Sequence, residues 1–397
     1  MKSVLKESVG RRVREMRNGN RKKILLLIII ASLIVKFALF GYAAINAPSA
    51  KFMPDTATYM KPGINLVEKG VFATFDTNGE IKYEINRTPG YPLFIAFLNR
   101  ILRLSPGHII IAQILFITLA GYFVYKAASE LDKNIALLSV FIFLFDLPTI
   151  ISTLQLLTEA LYTVFMAFFI FFFLKYLEKH TISTLIRAVL MLVIATYIRP
   201  VSYYLGICLA GGIIYVLFRR DSKKAIAGAL VFLLVFYSLL GLWHYRNYVR
   251  TGDADFTVID NQDLRHMGLT HKYERDGGFE KTKMSPLVYY LNHTARSVIQ
   301  FFTLPGTLKH LKSRPLKIAS KIYGYPWVIF WLIGIFFAEY DKLAYRFLLL
   351  TVLYFAAVSI IVTGLCVGSR FRVPVMPFLS ILSASGWMRI TGKFRKE

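Results

Sequence analysis

PDTATYMKPGINLVEKG (54–70), a polar passage, and then RTPGYPLFIAFLNRIL (87–102) form the stretch on which the fold of this chain turns. It follows a long apolar run, Ile24 to about Ile45, and sets an acid, several cations and a rigid Pro-Gly turn just beyond a hydrophobic span. Its last apolar piece, Leu93 to Leu102, is about half the roughly 20 residues a helix needs to cross a bilayer. Whether that piece crosses decides on which side every later loop lies.

The later charges settle this. If 93–102 is interfacial or re-entrant and returns to the outer face, spans follow at His108–Lys126, Ile135–Leu147, Leu154–Tyr176, Leu185–Ile198, Val201–Phe218, Ala225–His244, Tyr323–Ala338, Leu343–Gly364 and Val373–Met388. Lys175, Lys179, Arg187, Arg219, Arg220, Lys223 and Lys224 then fall in inner loops, with Lys342, Arg346, Arg389, Lys393, Arg395 and Lys396. This is the bias that cytoplasmic loops carry. The opposite arrangement puts the first two clusters outside.

The 397 residues are 56% hydrophobic and 15% aromatic, which excludes an ordinary soluble domain. A formal charge of +25 raises nucleic acid as a partner, but the basic residues sit in short segments between apolar spans, so the membrane accounts for them and no nucleic acid is expected. Nine Lys/Arg in residues 1–23 precede the first span, which is too long for a signal-peptide core and reads as an uncleaved helix with a cytoplasmic N-terminus. The expected fold class is therefore an all-α polytopic membrane protein with about ten transmembrane helices and outer-face juxtamembrane helices. Residues 1–23 form a basic cytoplasmic segment and 392–397 a cytoplasmic tail. Residues 24–391 form a single transmembrane domain, with a first outer loop at 46–107 and a long outer loop at 245–322. Within the long loop, Pro286–Thr303 carries Asn292, His293, Arg296 and Gln300 and reads as a helix lying on the surface. Cys208 and Cys366 give no disulfide or thiolate framework.

This topology brings the conspicuous polar residues to one face. Asp55 and Arg87 lie in the first outer loop, Asp146 ends the third span and Glu159 begins the fourth. Arg199 links the fifth and sixth, Arg246 and Asn247 end the seventh, and Arg370 and Arg372 precede the tenth. Asp55, ahead of Thr-Ala-Thr-Tyr, suits a helix N-cap; it equally suits a general base beside a charged ligand. Glu159 lies in TLQLLTEALYTVFMAFFIFFFL, where an ionisable group is costly and points to a polar cavity, and Gln155, Glu159 and Tyr162 fall on one helical stripe. Arg87 is presented at the rim of a Pro-Gly turn. Arg199, among Tyr197, Tyr203 and Tyr204, reads either as an interfacial anchor or as a ligand. Arg370 and Arg372 sit outside against the charge bias, and a phosphate contact would retain them. The seven histidines show no metal-ligand spacing, the nearest pair being His266 and His271, and Asp253 and Asp255 read as turn formers, so no metal site is assigned.

Asp55 with Tyr59, RTPGYPLFIAFLNRI, LLTEALYTVF, YIRP, HYRNYVRTGD and SRFRVPVMPFLSILSASG, in this order from about residue 24 to 388, resemble the GT-C integral-membrane glycosyltransferases. The likeness is to the branch of protein O-mannosyltransferases and lipid A aminoarabinose transferases, with Thr88 standing where the turn motif more often has proline. The resemblance implies an inverting transfer of a sugar from a polyprenyl-phosphate donor to a lipid, glycan or protein acceptor. The active site would face the outside of a membrane, here expected to be the bacterial inner membrane. It also implies Asp55 as general base and Glu159 as the second acid. Tyr59, Arg87, Arg199, Arg246, Arg370 and Arg372 become candidates for substrate and phosphate. A donor with one phosphate requires no cofactor, and a divalent metal stays optional. A polyprenyl-linked glycan polymerase or ligase is the nearer rival, which would put catalytic weight on the long late loop. A secondary transporter is the more distant one, expecting internal repeats and ionisable groups at mid-membrane.

Overall fold

The computed structural model describes residues 2–218, 221–257, 278–304, 314–362 and 368–393. His266, His271, Arg219, Arg220, Cys366, Arg395 and Lys396 lie outside the described residues.

Helix α1 (Lys2–Asn46) runs from the basic segment through the first apolar run without a break. After it come α2 (Thr56–Lys69) and a hairpin of β1 (Ala73–Phe75) and β2 (Ile81–Tyr83), paired antiparallel with Thr74 opposite Lys82. The RTPGYP segment opens α3 (Gly90–Ala96), extended by one wide turn over Phe97–Ile101. These twelve residues reach about 18 Å at 1.5 Å each, too short to cross a bilayer. Then follow α4 (Pro106–Leu131), α5 (Ala136–Leu144), α6 (Leu147–Thr153), α7 (Thr158–Lys179), α8 (Ile182–Ile198), α9 (Leu205–Leu217) and α10 (Ser222–Thr251). The chain closes with α11 (Gly278–Thr282), α12 (Pro286–Thr303), α13 (Arg314–Phe336), α14 (Leu343–Val362), the 3-10 turn Ser369–Val375, and α15 (Met376–Lys393).

The molecule is an integral membrane protein, and the described residues do not confirm a count of ten spans. Seven helical stretches are long and apolar enough to cross: 19–46, α4, α7, α10, α13, α14 and 369–392. An eighth is the pair α5 and α6, bent by 56°. The helix at 182–198 and that at 200–215 are apolar but shorter. The bend has a local cause. Asp146 caps α6, its Oδ2 accepting from the Thr149 amide at 3.0 Å and the Thr149 hydroxyl at 2.7 Å, so a new short helix starts at Leu147, where the third span was expected to end. On the other side of the bend, Lys36 of α1 is fully buried and donates to Ser32 Oγ and to the Leu144 carbonyl, the latter at 3.1 Å. A carbonyl left without a partner by the helix end is thus satisfied by an intramembrane lysine. Tyr323 of α13 donates to the next carbonyl, Phe145 O, at 2.6 Å.

Helix α7 is the axis of the core. Leu161, Phe169, Ile170 and Phe171 are buried on successive sides of it, as expected for a helix apolar all round. It packs between α4 and α8. By contrast α1 leaves Leu26, Leu27, Ile34 and Ile45 exposed, which suits a lipid-facing helix. Helices α13 and α15 meet backbone to backbone at Gly334 and Gly386, a contact that small residues permit. Helix α12 exposes Leu287, Val288, Leu291 and Ile299 and buries Tyr289, Ser297 and Phe301, so it lies amphipathically against the bundle.

Gly90 fixes α3 to the end of α8. A Cβ there would stand 2.7 Å from the Tyr197 carbonyl carbon and 2.8 Å from the Ile198 nitrogen, closer than real side chains approach backbone. Gly90→Ala is therefore expected to push α3 off Tyr197–Ile198 at a cost of about 1–3 kcal/mol. A lowered temperature of thermal aggregation in detergent, against an unchanged one for Gly107→Ala, would show it. A Cβ at Gly107 meets side-chain atoms only, at 3.7 Å.

Candidate active site

Asp55 stands at the N-cap position of α2, yet its carboxylate caps nothing in that helix. The first turn is closed instead by the Asp55 carbonyl, which accepts from the Thr58 amide at 3.1 Å and the Thr58 hydroxyl at 2.7 Å. The carboxylate turns to two arginines. Oδ1 lies 3.6 Å from Arg87 Nη2 and Oδ2 lies 3.7 Å from Arg370 Nη2, with the Asp55 side chain 39% exposed. These are open ion pairs, longer than hydrogen bonds.

Arg87 is aimed by its surroundings. Its Nε donates to Thr58 Oγ1 and its Nη1 to the Tyr59 hydroxyl, both at 3.1 Å, and its guanidinium lies 4.6 Å from the Tyr59 ring centre. Burial pushes the Tyr59 hydroxyl above its ordinary value while Arg87 pulls the other way, and the net shift is upward. The phenol stays protonated, a neutral acceptor for the guanidinium. Tyr59 meets Tyr91 edge to face at 5.4 Å, and Tyr91 donates to Gln113 Oε1 at 2.9 Å. Gln113 in turn donates to the Thr153 and Gln155 carbonyls at 3.0 and 2.8 Å, tying the first loop to the segment before α7.

Glu159 lies in the first turn of α7, where the exposed amides of a helix start favour a carboxylate. Only 4% exposed, it pairs through Oε1 with Arg199 Nη1 at 3.0 Å and, more loosely, with Arg370 Nε at 3.8 Å. Arg199 ends α8 in an extended conformation because Pro200 follows, and that kink turns it toward Glu159. Arg199 and Arg370 both lie over the Phe371 ring, at 5.5 and 5.2 Å. Arg370 thus links the two acids, and Asp55, Arg87, Glu159, Arg199 and Arg370 form one chain of ion pairs drawn from five segments. The stripe expected over Gln155, Glu159 and Tyr162 is not continuous, since α7 starts only at Thr158 and Gln155 lies in the turn before it.

Arg246 and Arg372 are not brought to these acids. Arg246 donates to the carbonyls of Phe72 and Glu84 and to Asn247 Oδ1. Arg372, fully buried, donates to the carbonyls of Phe301, Phe302 and Leu304, with Asp146 Oδ1 4.0 Å away. Backbone carbonyls accept from the Nη atoms of both arginines. Glu84, Gln113 and Phe371 are supporting residues that the sequence did not single out. The only signal for Phe371 was its place between two arginines. Among the described residues no three His, Cys, Asp or Glu side chains gather as metal ligands.

Three arginines against two carboxylates leave the cluster with one net positive charge at the mouth of a membrane bundle. Such a set can hold an anion between Arg87 and Arg370 while Asp55 accepts a proton beside it.

Residues 86–243 match the family described as dolichyl-phosphate-mannose-protein mannosyltransferase. The stretch contains Arg87, Glu159 and Arg199. No curated protein matches the chain in sequence. Among solved structures, the chain is similar to the oligosaccharyltransferase of Archaeoglobus fulgidus in the apo form, at 13% identity and a TM-score of 0.57, over 94% of this chain and 51% of that one. It is also similar to the same organism's oligosaccharyltransferase AglB in complex with an inhibitory peptide and a dolichol-phosphate, at 14% identity and a TM-score of 0.54, over 93% and 51%. ArnT from Cupriavidus metallidurans, bound to undecaprenyl phosphate, aligns at 15% identity with a TM-score of 0.45 over 94% and 79%. The chain spans about half the length of the archaeal oligosaccharyltransferase. With a mannosyltransferase family match over 86–243 and the archaeal enzyme's architecture over almost its whole length, this chain has the fold of the GT-C integral-membrane glycosyltransferases.

Proposed function

We propose that this protein transfers a sugar from a polyprenyl-monophosphate donor to an acceptor hydroxyl or amine at the extracytoplasmic face of a cell membrane, with inversion. The observation that carries this reading is the state of Asp55. It is a half-exposed carboxylate at a helix start that it does not cap, held loosely between two arginines.

Asp55 takes the proton of the acceptor as the acceptor's oxygen or nitrogen attacks the anomeric carbon. The bond from that carbon to the phosphate oxygen breaks on the opposite side, and its electron pair leaves with the lipid phosphate. Arg87 and Arg370 stabilise the charge that grows there. Planar guanidinium forks suit phosphate oxygens, and prearranged cations at a developing charge form the largest single term in many enzymes. Glu159 and Arg199, the tighter and more buried pair, hold Arg370 in place rather than exchange protons. The family's description names dolichyl-phosphate-mannose as a donor, and a protein of like fold was solved with dolichol-phosphate; a lipid phosphate is the ligand class these arginines suit.

Purified wild-type protein in proteoliposomes, given a polyprenyl-monophosphate sugar labelled in the sugar and a crude envelope extract as acceptor, is expected to convert the donor to polyprenyl phosphate and move the label into acceptor. If it consumes only polyprenyl-diphosphate-linked or nucleotide-linked sugars, this reading is wrong.

A further inference from the structure

Arg246 and Arg372 each stand one step behind a site arginine. Near the end of α10, Arg246 Nη1 donates to the Glu84 carbonyl and Nη2 to the Phe72 carbonyl, both at 2.7 Å, which joins the two ends of the β1–β2 hairpin. The buried Glu84 carboxylate then accepts, through Oε1, from the amides of Asn86 at 2.7 Å and Arg87 at 2.9 Å. That turn is the root of the Arg87 side chain, which reaches Asp55 Oδ1.

The other arm has the same construction. Arg372 Nη1 donates to the carbonyls of Phe301 at 2.8 Å and Phe302 at 3.1 Å, and Nη2 to that of Leu304 at 2.9 Å. It thereby gathers the last carbonyls of α12, groups that a helix end leaves without partners. Two residues earlier, on the same 3-10 turn, Arg370 reaches Asp55 Oδ2 and Glu159. We propose that Arg246 and Arg372 are positioning residues: each clamps backbone carbonyls so that one site arginine, Arg87 or Arg370, is held to its own oxygen of the Asp55 carboxylate. Only a guanidinium can do this, because several carbonyls arranged around one side chain need a planar fork of donors, which a lysine ammonium does not offer. The phosphate-binding role of Arg87 and Arg370 rests on the function proposed above; the clamps themselves do not.

The test uses the purified full-length protein in detergent and two readouts. In hydrogen exchange, Arg372→Met is expected to speed exchange at least about tenfold in the peptides covering 298–304 and 369–375 and to leave 84–92 unchanged. Arg246→Met is expected to do the reverse. Because Arg372→Met leaves Asp146 without its cation, the pair Arg372→Met with Asp146→Asn serves as a second variant that removes both charges, and it is expected to give the same local pattern. In transfer, each clamp substitution is expected to cost about 10- to 100-fold, the scale of a misplacement near 1 Å. Arg372→Met added to Arg370→Ala should cost less than threefold more, while added to Arg87→Ala it should cost its full factor; Arg246→Met should show the mirror image. Exchange that rises evenly through the bundle, or full losses in every background, would overturn the clamps and leave a general structural role. Should wild type transfer no sugar from a lipid monophosphate, the proposed function falls and the exchange pattern alone decides the clamps.

Discussion

Asp55→Asn is expected to lower sugar transfer by about 10²- to 10⁴-fold, the usual worth of a positioned general base, while leaving folding stability changed by at most about 1 kcal/mol. The two halves of this expectation come from separate observations. The carboxylate does not cap α2, whose first turn is held by the Asp55 backbone carbonyl, so asparagine removes no helix cap. Its ion pairs are long and half exposed, and pairs of that kind contribute about 0–1 kcal/mol once solvent screens them. Asparagine keeps the volume and an oxygen facing Arg87 and Arg370, but it has no use for a proton. Removing a negative charge between two arginines also makes the site more welcoming to an anion, so the KM for the donor should hold or fall while kcat collapses. Rates at saturating donor together with a thermal-denaturation curve check both parts. Transfer within threefold of wild type would take the base role from Asp55.

Glu159→Leu is expected to be damaging in a different way, with about 3–5 kcal/mol of stability lost through a cation left buried without its partner. Glu159 is only 4% exposed and Arg199, 3.0 Å away, has no better acid to turn to, since Asp55 is already shared by Arg87 and Arg370. Transfer should fall as well, because Arg370 loses one of its two anchors. Adding Arg199→Met removes the stranded charge, and replacing both members of a buried pair with apolar groups is often neutral or better. The double variant is therefore expected to recover most of the stability and none of the transfer. Thermal aggregation and transfer rate, measured on the two single variants and the double, separate these outcomes. A double variant as unstable as Glu159→Leu would mean that the pair is not what supports this end of α7.

Much of the site could be read without coordinates because membrane chains sort their polar residues by side. Once the charge bias had set the topology, Asp55, Arg87, Glu159, Arg199 and Arg370 were bound to lie at one end of the bundle, and in the structure they touch. What the chain did not reveal was which arginines look inward. Arg370 and Arg372 stand in the same SRFR segment with the same neighbours. A 3-10 turn advances about 120° per residue, so side chains two apart point away from each other. One meets the acids and the other meets the carbonyls of α12. Nothing in sequence marks the 3-10 turn. Arg246 was equally hidden, since its partners are the carbonyls of Phe72 and Glu84, groups that every residue possesses.

The bend between α5 and α6 was partly legible. Hydropathy sees FIFLFDLPTIIS as one apolar run, but Asp followed by Leu-Pro carries the signature of a helix start, a capping acid and a proline in the first turn. Lys36 was passed over inside the first span because a single lysine barely lowers the hydropathy of the window around it. Its role depends on a carbonyl more than a hundred residues away, beyond the reach of local pattern.

The ion pair between Arg370 and Asp55 joins the loop after α1 to the 3-10 turn ahead of α15. At roughly 5–20 residues per second, a ribosome takes on the order of 15–60 s to travel from one to the other. During that interval both acids can already be in the membrane, yet the cation that links them has not been made. The link between the two acids is therefore completed only once the segment ahead of α15 has been made. A chain stopped before Ser369 would carry both acids and lack the arginine that links them.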